Sequence, residues 1–220
     1  MFASFIHRYL DPADSLGELL FGLIMTLTLT LGVRLLSLRT EIDPHELVGA
    51  MIGCNVAWGI IDGALYLLGS VFSRNRRVQF VRRLRAATSE AEAMQAIRDE
   101  FGLEDEPLIS ESDRAAFHRV TLGVMRNAGT QRARMRVRDL KAAFAIALLV
   151  SLTALPGVIP FLLVEDGYLA LRLANAIQVG LLFFVGYRWA AHTGANRWRT
   201  GLGVVALGVS LVLISVALGG

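Results

Sequence analysis

Residues 49–72 read GAMIGCNVAWGIIDGALYLLGSVF, an apolar run with a single carboxylate, Asp62, near its middle. A bilayer core takes about 20 apolar residues of helix, so the run is long enough to cross one. An ionised carboxylate at the centre of a membrane helix costs about 3 kcal/mol even on the most lenient insertion scale. The residue that needs an explanation is therefore Asp62. Of the 220 residues, 54% are hydrophobic, and the mean hydropathy is +0.52. A soluble domain is well below this.

Working outward, five runs are long and apolar enough to span: 16–33, 47–72, 142–164, 167–191 and 201–220. Backbone inside lipid has to satisfy its own hydrogen bonds, so each run is predicted to be helical. Between the second and third runs the composition changes. Residues 73–141 hold 15 of the 22 Lys+Arg and 10 of the 19 Asp+Glu. Ser89 followed by Glu92 predicts a capping box at a helix start, with Gly102 as its stop. A second insert helix is predicted from about residue 113 to 127, before Gly129. Arginines at 74, 76, 77, 82, 83 and 85 extend the second span into water as a basic helix.

The predicted fold is all-α: a polytopic membrane protein of five transmembrane helices with a helical cytoplasmic insert between helices 2 and 3. Its parts are 1–72, 73–141 and 142–220. Arg-rich flanks place the insert and the N-terminus in the cytoplasm and the C-terminus outside, in an inner or plasma membrane. The opening MFASFIHRYLDPADS lacks a basic start, a long apolar core and a cleavage site, so it does not read as a signal peptide. The lone cysteine, Cys54, excludes a disulfide framework.

Helical periodicity groups the polar residues. At about 100° per residue, Met51, Asn55, Asp62 and Tyr66 fall in a stripe roughly 60° wide. Asp14, Glu18 and Met25 fall within roughly 40° on the first helix. Two helices thus carry carboxylate and thioether on one face. A divalent metal or a transported proton relieves a buried carboxylate; carboxylate and amide oxygens suit harder cations such as Mn²⁺ and Fe²⁺, and a thioether adds tolerance for softer ones. Asp14, Glu18, Met25, Met51, Asn55 and Asp62 are the candidate metal residues. Each also has an ordinary reading. Asp62 can hydrogen-bond a neighbouring helix, Asp14 and Glu18 can serve the helix dipole, and Met fills gaps in cores.

The strings GAMIG and GIIDG are both Gly-x-x-x-Gly, which favours close helix approach within the chain or between copies. In the insert, Glu100 and Glu104 stand at i,i+4 with further acids and Met94, Met125 and Met135 nearby, but charges on short amphipathic helices ordinarily face solvent. Its 14 Arg and one Lys against 10 acids favour anionic lipid headgroups over nucleic acid and over a strong metal store. No Walker loop, zinc-spacing cluster or Gly-x-Ser-x-Gly is present, so an enzyme is not expected.

The strings DPADSLGELLFGLIMTLTLTLG, LPGVIPFLL and HTGANRWRTGLGVVALGVSLVLISVALGG, with five spans and a helical insert, resemble the vacuolar iron transporter family. The resemblance covers the membrane part of the chain. It implies a homodimer that exports Fe²⁺, and often Mn²⁺, from the cytosol in exchange for protons, the ion being cargo rather than a resident cofactor. It implies an ion path between first helices at the dimer interface, with Asp14 or Glu18 as the first-helix acid. Where the family's second helix carries a Met on the path, this chain has IIDGALYL, with Asp62 close to that place. Where the family's insert is dense in Glu, this one is dense in Arg. The expected function is a proton-coupled divalent-metal exporter. The alternatives are a non-transporting membrane scaffold or regulator, and a passive cation channel.

Overall fold

The computed structural model describes residues 6, 9–36, 43–101, 110–127, 129 and 134–218. Among them are eight helices and no strand. They are α1 (Pro12–Leu36), α2 (Pro44–Ala86), α3 (Glu90–Phe101), α4 (Glu111–Arg126), α5 (Val137–Leu152), α6 (Leu155–Leu163), α7 (Gly167–Thr193) and α8 (Arg197–Ala217). Five stretches are long and apolar enough to cross a bilayer: Pro12–Gly32, Pro44–Ala86, Val137–Leu163, Gly167–Thr193 and Arg197–Ala217. The protein is an all-α polytopic membrane protein.

The chain forms two compact units, 1–66 with 137–220, and 67–136. In the first, α1 packs on α7 and α8 through Leu23, Leu27, Leu182, Val185, Val212 and Val216. The small face of α5, Ala142, Ala145, Ile146 and Leu149, forms a second cluster with Leu10. A third joins Leu47 and Met51 of α2 to Val158 of α6 and Leu171 of α7.

The third span is not the unbroken helix expected over 142–164. It begins earlier, at Val137, and breaks at Thr153–Ala154 between α5 and α6. Pro156 is the cause. It has no N–H to give the carbonyl of Leu152, and its ring crowds that carbonyl, so α5 ends there. Polar atoms take up the slack. The Thr153 hydroxyl donates to Val150 O at 2.6 Å, and Gln178 Nε2 of α7 donates to Thr153 O at 3.4 Å. Elsewhere the hydroxyls of Thr28, Ser151 and Ser210 fold back onto the carbonyl one turn earlier. Such bonding quiets a hydroxyl in an apolar medium.

Helix ends follow local chemistry. Asp11 accepts from the Ala13 amide at 2.9 Å and opens α1, with Pro12 in the first turn. Gly194 takes φ 69°, a left-handed conformation that suits glycine, and closes α7. Asn196 then caps α8 by accepting from Trp198 and Arg199 amides.

The second unit holds the basic end of α2 with α3 and α4. Phe80, Leu84, Ala93, Ile97 and Leu122 form its core, with Met94 and Met125 packed against them. Phe101 stacks edge-on with Phe80 at 6.0 Å and with Phe117 at 5.4 Å. The predicted box is present in shifted form. Ser89 Oγ accepts from the Glu92 amide at 3.1 Å, while Glu92 reaches back to the amide and hydroxyl of Thr88 at 2.9 and 3.0 Å. These donors, the Thr88 amide first, hold the Glu92 carboxyl below its ordinary value of 4.5. The α4 helix starts at Glu111, two residues before the expected 113, because Ser110 caps it through the Asp113 amide. The expected stop at Gly102 and the acid Glu104 lie outside the described residues.

Candidate functional site

Helices α1 and α2 run antiparallel, and their side chains meet in a register in which numbers rise along one as they fall along the other. Phe21 and Trp58 stack edge-on, with ring centroids 5.8 Å apart. Thr26 Oγ1 accepts from Asn55 Nδ2 at 2.6 Å. At the α1 N-terminal end of the same register, the half-buried Glu18 lies within Coulombic range of Asp62 and of Asp14. Asp62 Oδ2 is buried with no hydrogen-bond partner. Glu18 and Asp62 are thus two acids on different helices within electrostatic range of each other, and a cation near them would offset their repulsion.

The six predicted residues do not meet at one point. Asp62 lies about 10 Å along α2 from Asn55 and about 16 Å from Met51, at 1.5 Å per residue. Asp62 and Glu18 lie within electrostatic range of each other. Asp14 is exposed near the α1 N-terminus, one turn before Glu18. Met25 is half-buried, two turns along α1 from Glu18. Met51 and Asn55 are fully buried, at 0% exposure, in a separate polar layer.

That layer contains residues the periodicity did not single out. Thr26 donates to Gly22 O at 3.0 Å while accepting from Asn55. Thr30, one turn on, lies 2.6 Å from Asn175 Oδ1 of α7. Gln178, one turn along α7 from Asn175, is also at 0% exposure. Among the described residues, Asn55 Oδ1, Asn175 Nδ2 and Gln178 Oε1 are all buried without a partner. An unsatisfied buried polar atom costs about 1–3 kcal/mol. The signal was present in the sequence: two amides three residues apart inside an apolar run, Asn175 and Gln178.

The glycine pairs separate. Gly59 and Gly63 press on the backbone of α5, where an added Cβ would lie 2.6 Å from Ala147 O and 2.7 Å from Ala143 O. Gly49 and Gly53 have nothing within 4 Å among the described residues. Among the described residues, the second string, GIIDG, packs within the protomer and the first does not.

Three of the insert's described acids have protein partners. Glu100 pairs with Arg76 at 3.3 Å, Asp99 accepts from Gln95 at 2.9 Å, and Glu92 caps α3. Among the described residues no three His, Cys, Asp or Glu side chains are gathered as a metal cage. A cation at Glu18 and Asp62 would have to complete its shell with water, amide or thioether ligands, or with groups from another chain.

A family model described as the VIT family matches residues 72–220. The match takes in the third, fourth and fifth spans and the insert, and begins after the six candidate residues. No curated protein is matched by the chain.

Proposed function

Because the chain belongs to the VIT family and is thus a membrane metal-ion transporter, we propose that it exports Fe²⁺ or Mn²⁺ from the cytoplasm in exchange for protons. In this reading Glu18 and Asp62 hold metal and proton alternately. The observation that carries it is the register of α1 against α2, which brings these two carboxylates from different helices within electrostatic range, with Asp62 Oδ2 left without a partner among the described residues. Paired acids repel until something positive joins them, and a divalent ion or a proton does this equally well in turn. Between Asp14 and Glu18, the electrostatic approach to Asp62 favours Glu18 as the first-helix ligand, with Asp14 at the mouth.

The orientation follows the arginines. The insert and N-terminus face the cytoplasm of an inner or plasma membrane, and the C-terminus lies outside. The arginines flanking the spans grip anionic headgroups, at about 1 kcal/mol each near the surface. The protein acts as a homodimer. Gly49 and Gly53, unused within the protomer, offer α2 a surface for close approach to a second copy beside α1. In a Cys54→Ser background, cysteine pairs along α1 and at 49 or 53 should cross-link between copies in membranes.

The test is flux. Full-length protein in vesicles, with a metal dye and a pH dye inside, should show Mn²⁺ or Fe²⁺ movement with opposite proton movement. Metal flux without proton flux would leave a passive channel, and neither flux would leave a scaffold.

A further inference from the structure

Gly157, in α6 just after the break, marks the point where three other helices converge. A Cβ there would lie 2.7 Å from Gln178 Nε2, 2.9 Å from Met51 Cε and 2.9 Å from Thr26 Cγ2. Only glycine lets α6 come so close to α1, α2 and α7 at once.

The amides around this point are anchored asymmetrically. Thr153 O can only accept, so the 3.4 Å contact fixes the Gln178 NH₂ group there and leaves Oε1 unpartnered. The Thr26 hydroxyl gives its proton to Gly22 O, so it takes one from Asn55 Nδ2 and leaves Asn55 Oδ1 unpartnered. In both side chains the donor end is tied down and the acceptor end is free. A ligand that satisfies them brings positive charge or a proton donor. The Met51 thioether, whose methyl reaches the same point over Gly157, is a soft donor.

We propose that Asn55 Oδ1, Gln178 Oε1 and the Met51 sulfur form a second ion site inside each protomer, taking a borderline divalent transition-metal ion in transit. Gln178 is the ligand supplied by α7, and Thr26 and Thr153 are positioning residues that hold the amides with their oxygens free. The site rests on the transport reading above and extends it. It gives the ion a resting place about two helical turns beyond Asp62, within the protomer. Its ligands are neutral, so it holds the ion weakly enough to release it. Two neutral oxygens and a thioether serve Mn²⁺, Fe²⁺ or Cd²⁺ better than Mg²⁺, which favours carboxylates and its own water shell.

Two measurements on purified full-length protein test it: Mn²⁺ binding, read from loss of the free-ion paramagnetic resonance signal, and Mn²⁺ and Cd²⁺ uptake into vesicles. In a Glu18→Gln, Asp62→Asn background, residual Mn²⁺ binding is expected, and Gln178→Leu should weaken it about tenfold. With both carboxylates intact, Gln178→Leu should slow uptake of both ions, and Met51→Leu should depress Cd²⁺ more than Mn²⁺. Wild-type Mn²⁺ binding and uptake in folded Gln178→Leu overturns the site. If Gln178→Leu fails to fold, Gln178→Glu decides: it keeps the shape and adds charge, so Mn²⁺ binding must tighten, and unchanged binding overturns the site. Should Gln178→Leu alter proton flux alone, the free oxygens hold water, and the metal site is refuted. If wild type moves no metal yet binds Mn²⁺ in a Gln178-dependent way, the transport reading fails and the site stands.

Discussion

Glutamates in the two units of this chain meet opposite fates. In the insert, Glu100 faces Arg76 and Glu92 sits among the donors of Thr88. In the membrane unit, Glu18 lies within electrostatic range of another acid, Asp62, one of whose oxygens has no partner among the described residues. Water makes an unpaired carboxylate cheap in the first setting, and yet those carboxylates have partners. Lipid makes one costly in the second, and there the partner is missing. A cost carried without local compensation points to a ligand, whereas an acid already held by arginine or by a helix cap has little left to offer a metal. On the proposed reading the ion chemistry lies in the spans, and the insert is a small packed helical unit.

The largest effect should come from attacking the uncompensated pair. Asp62→Asn or Glu18→Gln is expected to cut metal flux at least about 100-fold, beyond the range seen for supporting residues around metal sites. The protein should still insert and run as a folded species on size exclusion. Full transport by Asp62→Asn would erase the contrast, leaving Asp62 a structural group.

The next effect concerns packing rather than chemistry. Gly59→Val or Gly63→Val drives a side chain into the α5 backbone and should destabilise the protomer by about 1–3 kcal/mol, read as a lower melting temperature. Gly53→Val, with open space around it, should leave the melting of the protomer unchanged and weaken association between copies. Equal thermal losses at 53 and 59 would show that α2 packs differently from the arrangement described.

A smaller effect is expected where the insert's acids are neutralised. Glu100→Gln should change Mn²⁺ flux by less than about twofold, since exposed ion pairs contribute little. A loss matching that of Glu18→Gln would move the ion chemistry back into the insert.

The smallest effect belongs to Glu92. Its carboxyl is held below its ordinary value in the folded protein by the Thr88 donors, so it stabilises the start of α3 above pH 4.5. That contribution is lost as pH falls through the lowered folded value. Glu92→Gln should therefore melt slightly earlier than wild type at pH 7, and the difference should vanish in acid. A gap that widens on acidification would contradict the cap.

Much of this was legible in the sequence because it is local. Each membrane helix closes its own backbone hydrogen bonds, so the five spans follow from the lengths of the apolar runs. Ser89, Glu92, Gly194 and Asn196 act within one turn of themselves, and the helix ends follow from them. Asp62 stood out because a charge in lipid is rare whatever surrounds it. Which side chains meet is a different matter. The spanning helices are apolar nearly all round, so no periodicity says which face turns inward. Only the packed structure brought Glu18 within electrostatic range of Asp62 and buried Met51 and Asn55 in a separate layer. It alone spent Gly59 and Gly63 on α5, and brought Gln178 beside Met51 over Gly157. In water the hydrophobic effect writes the buried face into the sequence. In lipid that difference is gone, and close approach and polar contacts between helices choose the face instead.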